Sequence, residues 1–499
     1  MSYNMLQTQL LKFFFFLKKK KKKMSKLNGD VLNLIFKVFH SDNKTLYSCL
    51  LVNKTWCEVV IPFLWKDPWK DLIGENENLL LNVIISHLSD ELINNLKSQG
   101  VDFLTNSYTK PLFNYISFCK HLNLNVIERM INANIFIETS TVKNEVINLF
   151  INENTKFTHL YIPHKFNYQI HLIPGTDHCF SELEFLSCNT CITDNALNGL
   201  TEICKSIKVL ELIEVVKSNY GIVKLIEAPK RLFTIRLITE NCRVDEPFYK
   251  ILENSFTKHA NFIQDFITNK SSISNILSSF VNLKRLELRC NNFTTVATWD
   301  CLKDLSLPFL QTLKAIKIPF DVLASLIDNT NGYLNEISIS YVHNDEFSNK
   351  RIIQAIYKNC PNLKYLKLLF RSSNILELEN LLTRCQYLDG LFLITDMYLY
   401  NDYILFENLF EVLARSSPTN LFKFKIYINK TPKLESLKLF FDNWKGRHPM
   451  LLQTIQYNKH WDEPFDLIEK YKVEGIIKKY DHVLNESIFE DFKWIEQKF

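Results

Sequence analysis

The sequence predicts an α/β fold: a solenoid of repeated strand–helix units, with a parallel sheet on its concave face and helices outside, preceded by a small all-α segment. Three observations predict it. An apolar frame of the form L-x-x-L-x-L returns eleven times between residues 157 and 457. Helical spacing of apolar residues fills the stretches between frames. Glycine is scarce, 10 in 499 or about 2%, against roughly 7% in average usage.

The chain is 46% hydrophobic, 23% charged and 13% aromatic, a balance that supports a buried core and excludes wholesale disorder. No glycines stand at the spacing of GxGxxG or GxxxxGK[ST], which argues against dinucleotide folds and P-loop NTPases. The net charge of +5 is concentrated in residues 1–23, where Lys12 and Lys18 to Lys23 meet no acid; +5 less these seven lysines leaves −2 for residues 24–499. General affinity for nucleic acid is therefore not expected. The run Leu10 to Leu17, apolar except for Lys12, is too short to span a bilayer, and Lys18 to Lys23 come after it where a signal peptide would place its charges before it. Residues 1–23 read as a non-globular tail: either a T/A-rich leader ahead of a true start at Met24, or a targeting, anchoring or polybasic segment, each of which fits the residues badly; no membrane partner is expected.

Residues 27–39 carry apolar positions at 27, 31, 32, 35, 36 and 39, the spacing of a helix from about Asp30 to Phe39. Leu46, Cys49, Leu50 and Trp56 predict a second helix, and Val60 to Trp65 a third element. Helices this short are not stable singly, so they bury their faces against one another, against the adjoining segment of the chain, or against a partner.

These residues resemble an F-box. Leu27, Asp30, Val31, Leu32, Ile35, Phe36 and Phe39 match the first part of its pattern, Val52, Lys54 and Trp56 the second, and Leu64 with Trp65 the close. Asn28 and Asn53 depart from it, standing where proline and cysteine are frequent. The resemblance covers residues 24–66. It implies binding to a Skp-family adaptor, with Leu27, Val31, Leu32, Ile35, Phe36, Val52, Trp56, Leu64 and Trp65 forming or supporting the adaptor surface.

Residues 67–155 show mainly helical spacing and read as a helical connector. From residue 156 to 464 the frames begin at Phe157, Leu183, Ile207, Leu232, Leu283, Leu313, Leu334, Leu363, Leu388, Leu421 and Leu452, with a degenerate repeat expected at Ile263-Phe266. Alternation inside each frame is a strand signal, whereas Ala196 to Ile207, Arg351 to Tyr357, Leu376 to Leu382 and Leu405 to Ala414 have helical spacing. Each unit buries its leucines only against its neighbours. The units resemble leucine-rich repeats: Leu183 to Asp194 the cysteine-type form, and Leu283 to Asn291 the LxxLxLxxN form. Residues 465–499, amphipathic and aromatic, read as a cap on the last repeat.

Strand side chains switch sides at every position, so residues alternating with the buried leucines face the concave side. They include Glu211, Arg236, Arg285, Glu287, Arg289, Lys317, Glu336, Tyr365, Lys367, Phe392, Lys423, Lys425 and Tyr427. Arg236, Arg285, Glu287, Arg289, Lys317, Tyr365, Lys367, Lys423, Lys425 and Tyr427 are the candidate substrate-binding residues. A mainly basic face with aromatic members suits an acidic or phosphorylated protein segment.

No catalytic constellation such as HExxH or GxSxG occurs, and no catalytic residue, cofactor or metal is expected. The one CxxC, Cys188 to Cys191, lacks a second pair, and His164, His171, His178 and Cys179 form the other ligand-like cluster. Twelve cysteines without a signal peptide point to core thiols in a reducing compartment, cytoplasmic or nuclear. Together the two resemblances imply a non-catalytic F-box/leucine-rich-repeat receptor of an SCF-type cullin ubiquitin ligase, partnered by adaptor, cullin complex and a target protein. The alternative is a repeat scaffold or inhibitor with no ligase role, its N-terminal helices only capping the array.

Overall fold

A computed structural model describes residues 28–39, 42–70, 72, 74–98, 110–134, 139–164, 166–213, 218–239, 246–271, 274–290, 296–340, 345–395, 406–428, 433–456 and 465–484. The fold is α/β. Its strands follow chain order in a 14-stranded parallel sheet. The chain divides into two compact units, Met1–Leu232 with Cys242–Ser255, and Phe233–Asn241 with Phe256–Phe499.

The first unit holds β1 (His121–Asn123), β2 (His159–Tyr161), β3 (Phe185–Cys188) and β4 (Val209–Ile213). Leu122, Leu160, Leu186 and Leu210 stand opposite one another across these strands, each fully buried. β1 lies in the stretch read as a helical connector. Its frame, Cys119-Leu122-Leu124, has cysteine in the first place, and a helix starts at Leu124, which masks the strand signal. Segment 65–70 lies along the outer edge of β1. The amides of Lys120 and His121 donate to the Lys66 carbonyl at 2.9 and 3.2 Å, and the Trp69 indole donates to the His121 carbonyl.

The second unit holds β5 (Thr234–Ile238), β6 (Asp265–Thr268), β7 (Arg285–Arg289), β8 (Thr312–Ile316), β9 (Glu336–Ser340), β10 (Tyr365–Phe370), β11 (Gly390–Thr395), β12 (Lys423–Ile428), β13 (Met450–Gln456) and β14 (Ile477–Leu484). β6 contains the expected degenerate repeat, with Phe266 opposite Leu286. Two frames are displaced by three residues. Leu286 and Leu288 pair with Leu313 and Ala315, so the frame of β8 is Leu310-Leu313-Ala315. Phe424 and Ile426 pair with Leu452 and Thr454, so that of β13 is Pro449-Leu452-Thr454. In each case a small or polar residue fills the last place, and apolar residues just beyond it imitate the pattern. Within the stretch read as a C-terminal cap, the described residues form the helix Phe465–Val473 and a further strand, β14, whose Tyr480 stands opposite Leu452. Asn291 and Tyr457 lie outside the described residues.

Some polar groups left over between repeats are satisfied by buried side chains. Asn349, wholly buried, donates to the Leu369 carbonyl at 2.8 Å and accepts from the Arg371 amide at 3.2 Å, while Asn374 donates to it at 3.0 Å. Cys204, Cys360 and Cys385 each stand three residues before a frame residue (Ile207, Leu363 and Leu388) and are buried. Burial raises all three thiols above their ordinary value, Cys385 to about 12, and does the same to Cys188, to about 12. Among the described residues no group of three or more His, Cys, Asp or Glu side chains is placed to hold a metal ion. No described helix is long and apolar enough to cross a membrane.

Gly199, inside the helix Asp194–Ile203, is imposed by a close approach: a Cβ there would sit 2.0 Å from Nδ1 and 2.6 Å from Cγ of His171. Gly199→Ala should destabilise the protein by about 1–3 kcal/mol despite alanine's better helix propensity, because the ring and helix must move apart. Denaturant unfolding of the single variant and of Gly199→Ala with His171→Ala checks this, with the pair expected to recover most of the loss.

Candidate functional site

The N-terminal helices are α1 (Gly29–Val38), α2 (Asn43–Leu50) and α3 (Lys54–Leu64). Each begins at a side-chain cap, which stabilises a short helix by satisfying an amide with no helical partner. Asn28 accepts from the Asp30 amide at 3.3 Å, Asp42 from the Thr45 amide at 3.1 Å, and Asn53 from the Trp56 amide at 2.9 Å. Hydrogen bonds from the Thr45 hydroxyl and amide hold the Asp42 carboxyl below its usual range. Asn28 and Asn53, the two departures from the F-box pattern, therefore each start a helix.

The three helices bury Leu32, Phe36, Leu46, Leu50, Cys57, Val60 and Ile61 together with Val83 and Tyr115. The Trp56 ring meets Phe36 edge-on at 5.4 Å, and Trp65 stacks on Tyr115 at 4.5 Å. Leu32 and Phe36 are thus internal supports of the module, while Trp56, Leu64 and Trp65 are half-buried, packed against that core with part of their surface still exposed. Ile35 is half-buried, Val31 and Val52 are exposed, and Leu27 lies outside the described residues.

Sequence reasoning missed Leu34 and Val38. With Val31 they recur at helical spacing on α1 and are 64%, 74% and 43% exposed. The signal was present, because α1 is apolar at 31, 32, 34, 35, 36 and 38, more positions than one buried stripe needs. Phe39, Tyr47 and Val52 are exposed nearby in sequence. A packed module that presents a second apolar stripe to water has the makings of a protein-docking surface.

The candidate substrate-binding residues lie in the second unit, on strand positions that alternate with the core. One row of facing positions runs Arg236, Ile267, Glu287, Lys314, Ser338, Lys367, Phe392, Lys425 and Gln453. Lys317 is not in the facing row expected of it: the strand β8 ends at Ile316, Lys317 lies beyond it with a positive φ of 59°, and Lys314 holds the facing position, 2.8 Å from Glu336.

Charge on this face is largely matched. Arg289 donates to Glu287, through Nε at 2.7 Å, and Arg285 stands 3.9 Å from the same carboxylate. Lys423 lies 2.7 Å from Asp389 and 3.1 Å from the Tyr365 hydroxyl, which itself donates to Asp389 at 2.8 Å. Burial works against the Lys423 ammonium, but these bonds outweigh it and its pKa is raised. Lys367 and Lys425 stand on either side of Phe392, each Nζ 4.9 Å from the ring centre. Both lysines and Tyr427 are buried, at 2% exposure or less, and Glu287 is buried at 7%. A partner meeting this face as it stands reaches Arg236, Arg285, Arg289 and Tyr365; Lys423, 14% exposed and tied to Asp389, is largely covered, and Lys367, Lys425 and Tyr427 are buried. The expected basic surface is therefore narrower and more evenly charged than alternation alone implies.

Among known proteins no family model matches the chain, and no curated protein is similar to it.

The two stripes of α1 should respond oppositely to substitution. Phe36→Ala should cost about 3–5 kcal/mol, whereas Leu34→Asp should change stability by less than about 0.5 kcal/mol. Chemical denaturation monitored by far-UV circular dichroism distinguishes them.

Proposed function

We propose that this protein is the substrate-recognition subunit of an SCF-type ubiquitin ligase, its N-terminal helices binding a Skp-family adaptor and its repeats holding a target protein. The observation that carries this reading is the exposed apolar stripe Val31, Leu34 and Val38 on a module whose own core is already complete. A helix that exposes this much apolar surface is stabilised by burying it against a partner, and truncation of such anchors is what costs most at an interface. The ordered F-box-like series supports the adaptor as that partner, and a 14-stranded parallel sheet supports a separate, extended protein-binding role for the rest of the chain.

The mechanism is proximity. Adaptor and cullin bring the ubiquitin-charged enzyme, and the repeats raise the effective concentration of the target beside it, so this chain needs no reacting group of its own. An acidic or phosphorylated target segment fits the accessible residues Arg236, Arg285 and Arg289, with Tyr365 further along the same face.

Co-purification from eukaryotic cells tests the reading. The wild type should retain the adaptor and cullin, and Val31→Asp with Leu34→Asp should weaken adaptor binding at least about 100-fold while leaving the melting temperature unchanged. A wild type that captures its target but neither adaptor nor cullin would instead identify a repeat scaffold with no ligase role.

A further inference from the structure

We infer that His121 and His159 form an acid-opened latch that holds segment 65–70 against the first strand of the sheet.

The two residues face each other across β1 and β2, and their rings are stacked with centres 3.9 Å apart and planes 16° from parallel. His159 continues the stack onto Phe185 at 5.1 Å. His121 is also where segment 65–70 docks. Its amide donates to the Lys66 carbonyl, its carbonyl accepts from the Trp69 indole, and its Nδ1 lies 3.1 Å from the Asp67 carboxylate. That last approach is a close polar contact rather than an aligned hydrogen bond, since Nδ1 has no hydrogen-bonding partner. His159 Nδ1 is 2.9 Å from the Thr158 hydroxyl.

The closed stack disfavours a proton on His159: the ring is half-buried between His121 and Phe185, and an imidazolium there loses hydration that the opened state restores. The charged groups facing His159 are His121 on β1, Asp67 and Lys66 on the docked segment, and Glu184 just before β3. Burial, and after it His121, lower His159 to about 4; Lys66 acts in the same direction, and Asp67 and Glu184 oppose it.

Linkage sets the sign. Between the ordinary histidine value near 6.5 and about 4, the opened state binds a proton at His159 that the closed state does not. The latch is thus fully closed above about pH 6.5 and weakens as pH falls towards 4. A proton on His159 separates the rings, and His121 then loses its hold on Asp67, Lys66 and Trp69.

Hydrogen exchange by mass spectrometry on the full chain at pH 7.5 and 5.0, corrected for intrinsic rates, tests the latch. In the wild type, peptides covering residues 65–70 and 119–124 should open about thirtyfold more readily at pH 5.0. In His159→Phe, which keeps an aromatic ring but takes up no proton, the change should stay within about threefold. His87, also lowered by burial in the same unit, is present in both proteins and cancels in the comparison. Should His159→Phe not fold at pH 7.5, His159→Gln, which retains a polar partner for Thr158, replaces it. Equal acceleration in wild type and variant, or none in the wild type, would overturn the proposal.

Discussion

A repeat in this chain cannot bury its own apolar side chains: it does so only when its strand lies in register beside the next. Leu122, Leu160, Leu186 and Leu210 in the first unit, and Phe266, Leu286, Leu313, Ile337, Leu366, Leu391, Phe424 and Leu452 in the second, are columns of facing residues that exist only through neighbours. This dependence has two consequences. Polar groups trapped between repeats need internal partners, which Asn349 and Asn374 supply. The first strand also needs something along its free edge, because an open strand edge is a liability. Segment 65–70 fills that place, and so the N-terminal module is joined to the sheet through backbone bonds at Lys120 and His121.

Most of the sheet was legible in the sequence because the same physical demand repeats at a readable interval. The frames beginning at Leu183, Leu283, Leu334, Leu363, Leu388 and Leu421 fall on strands in the expected phase. It failed where the demand was met by atypical residues. Ala315 and Thr454 fill core positions without looking apolar enough, so the frame slid to Ile316-Ile318 and Ile455-Tyr457 instead. β1 escaped notice because three residues running straight into a helix give alternation too little room.

The candidate surfaces were legible in part, and for a related reason. Helical spacing identified the side of α1 that holds the module together, Leu32 and Phe36, more readily than the side it offers to water, Leu34 and Val38. The pattern of one buried stripe is a rule about folding, and residues beyond that stripe answer to something else. Strand alternation likewise fixed which way Lys367 and Lys425 point without revealing that both are buried beside Phe392. Direction is set by the local backbone, whereas accessibility is set by residues distant in sequence, and one strand carries no record of them.

The sequestered thiols have a practical meaning. A sulfhydryl reacts as its thiolate, so Cys188 and Cys204 in the first unit and Cys360 and Cys385 in the second are silent for as long as their repeats stay shut. Local opening unmasks them one neighbourhood at a time. The molecule thereby carries its own set of chemical tripwires, and the order in which they respond to an alkylating probe is the order in which the array comes apart.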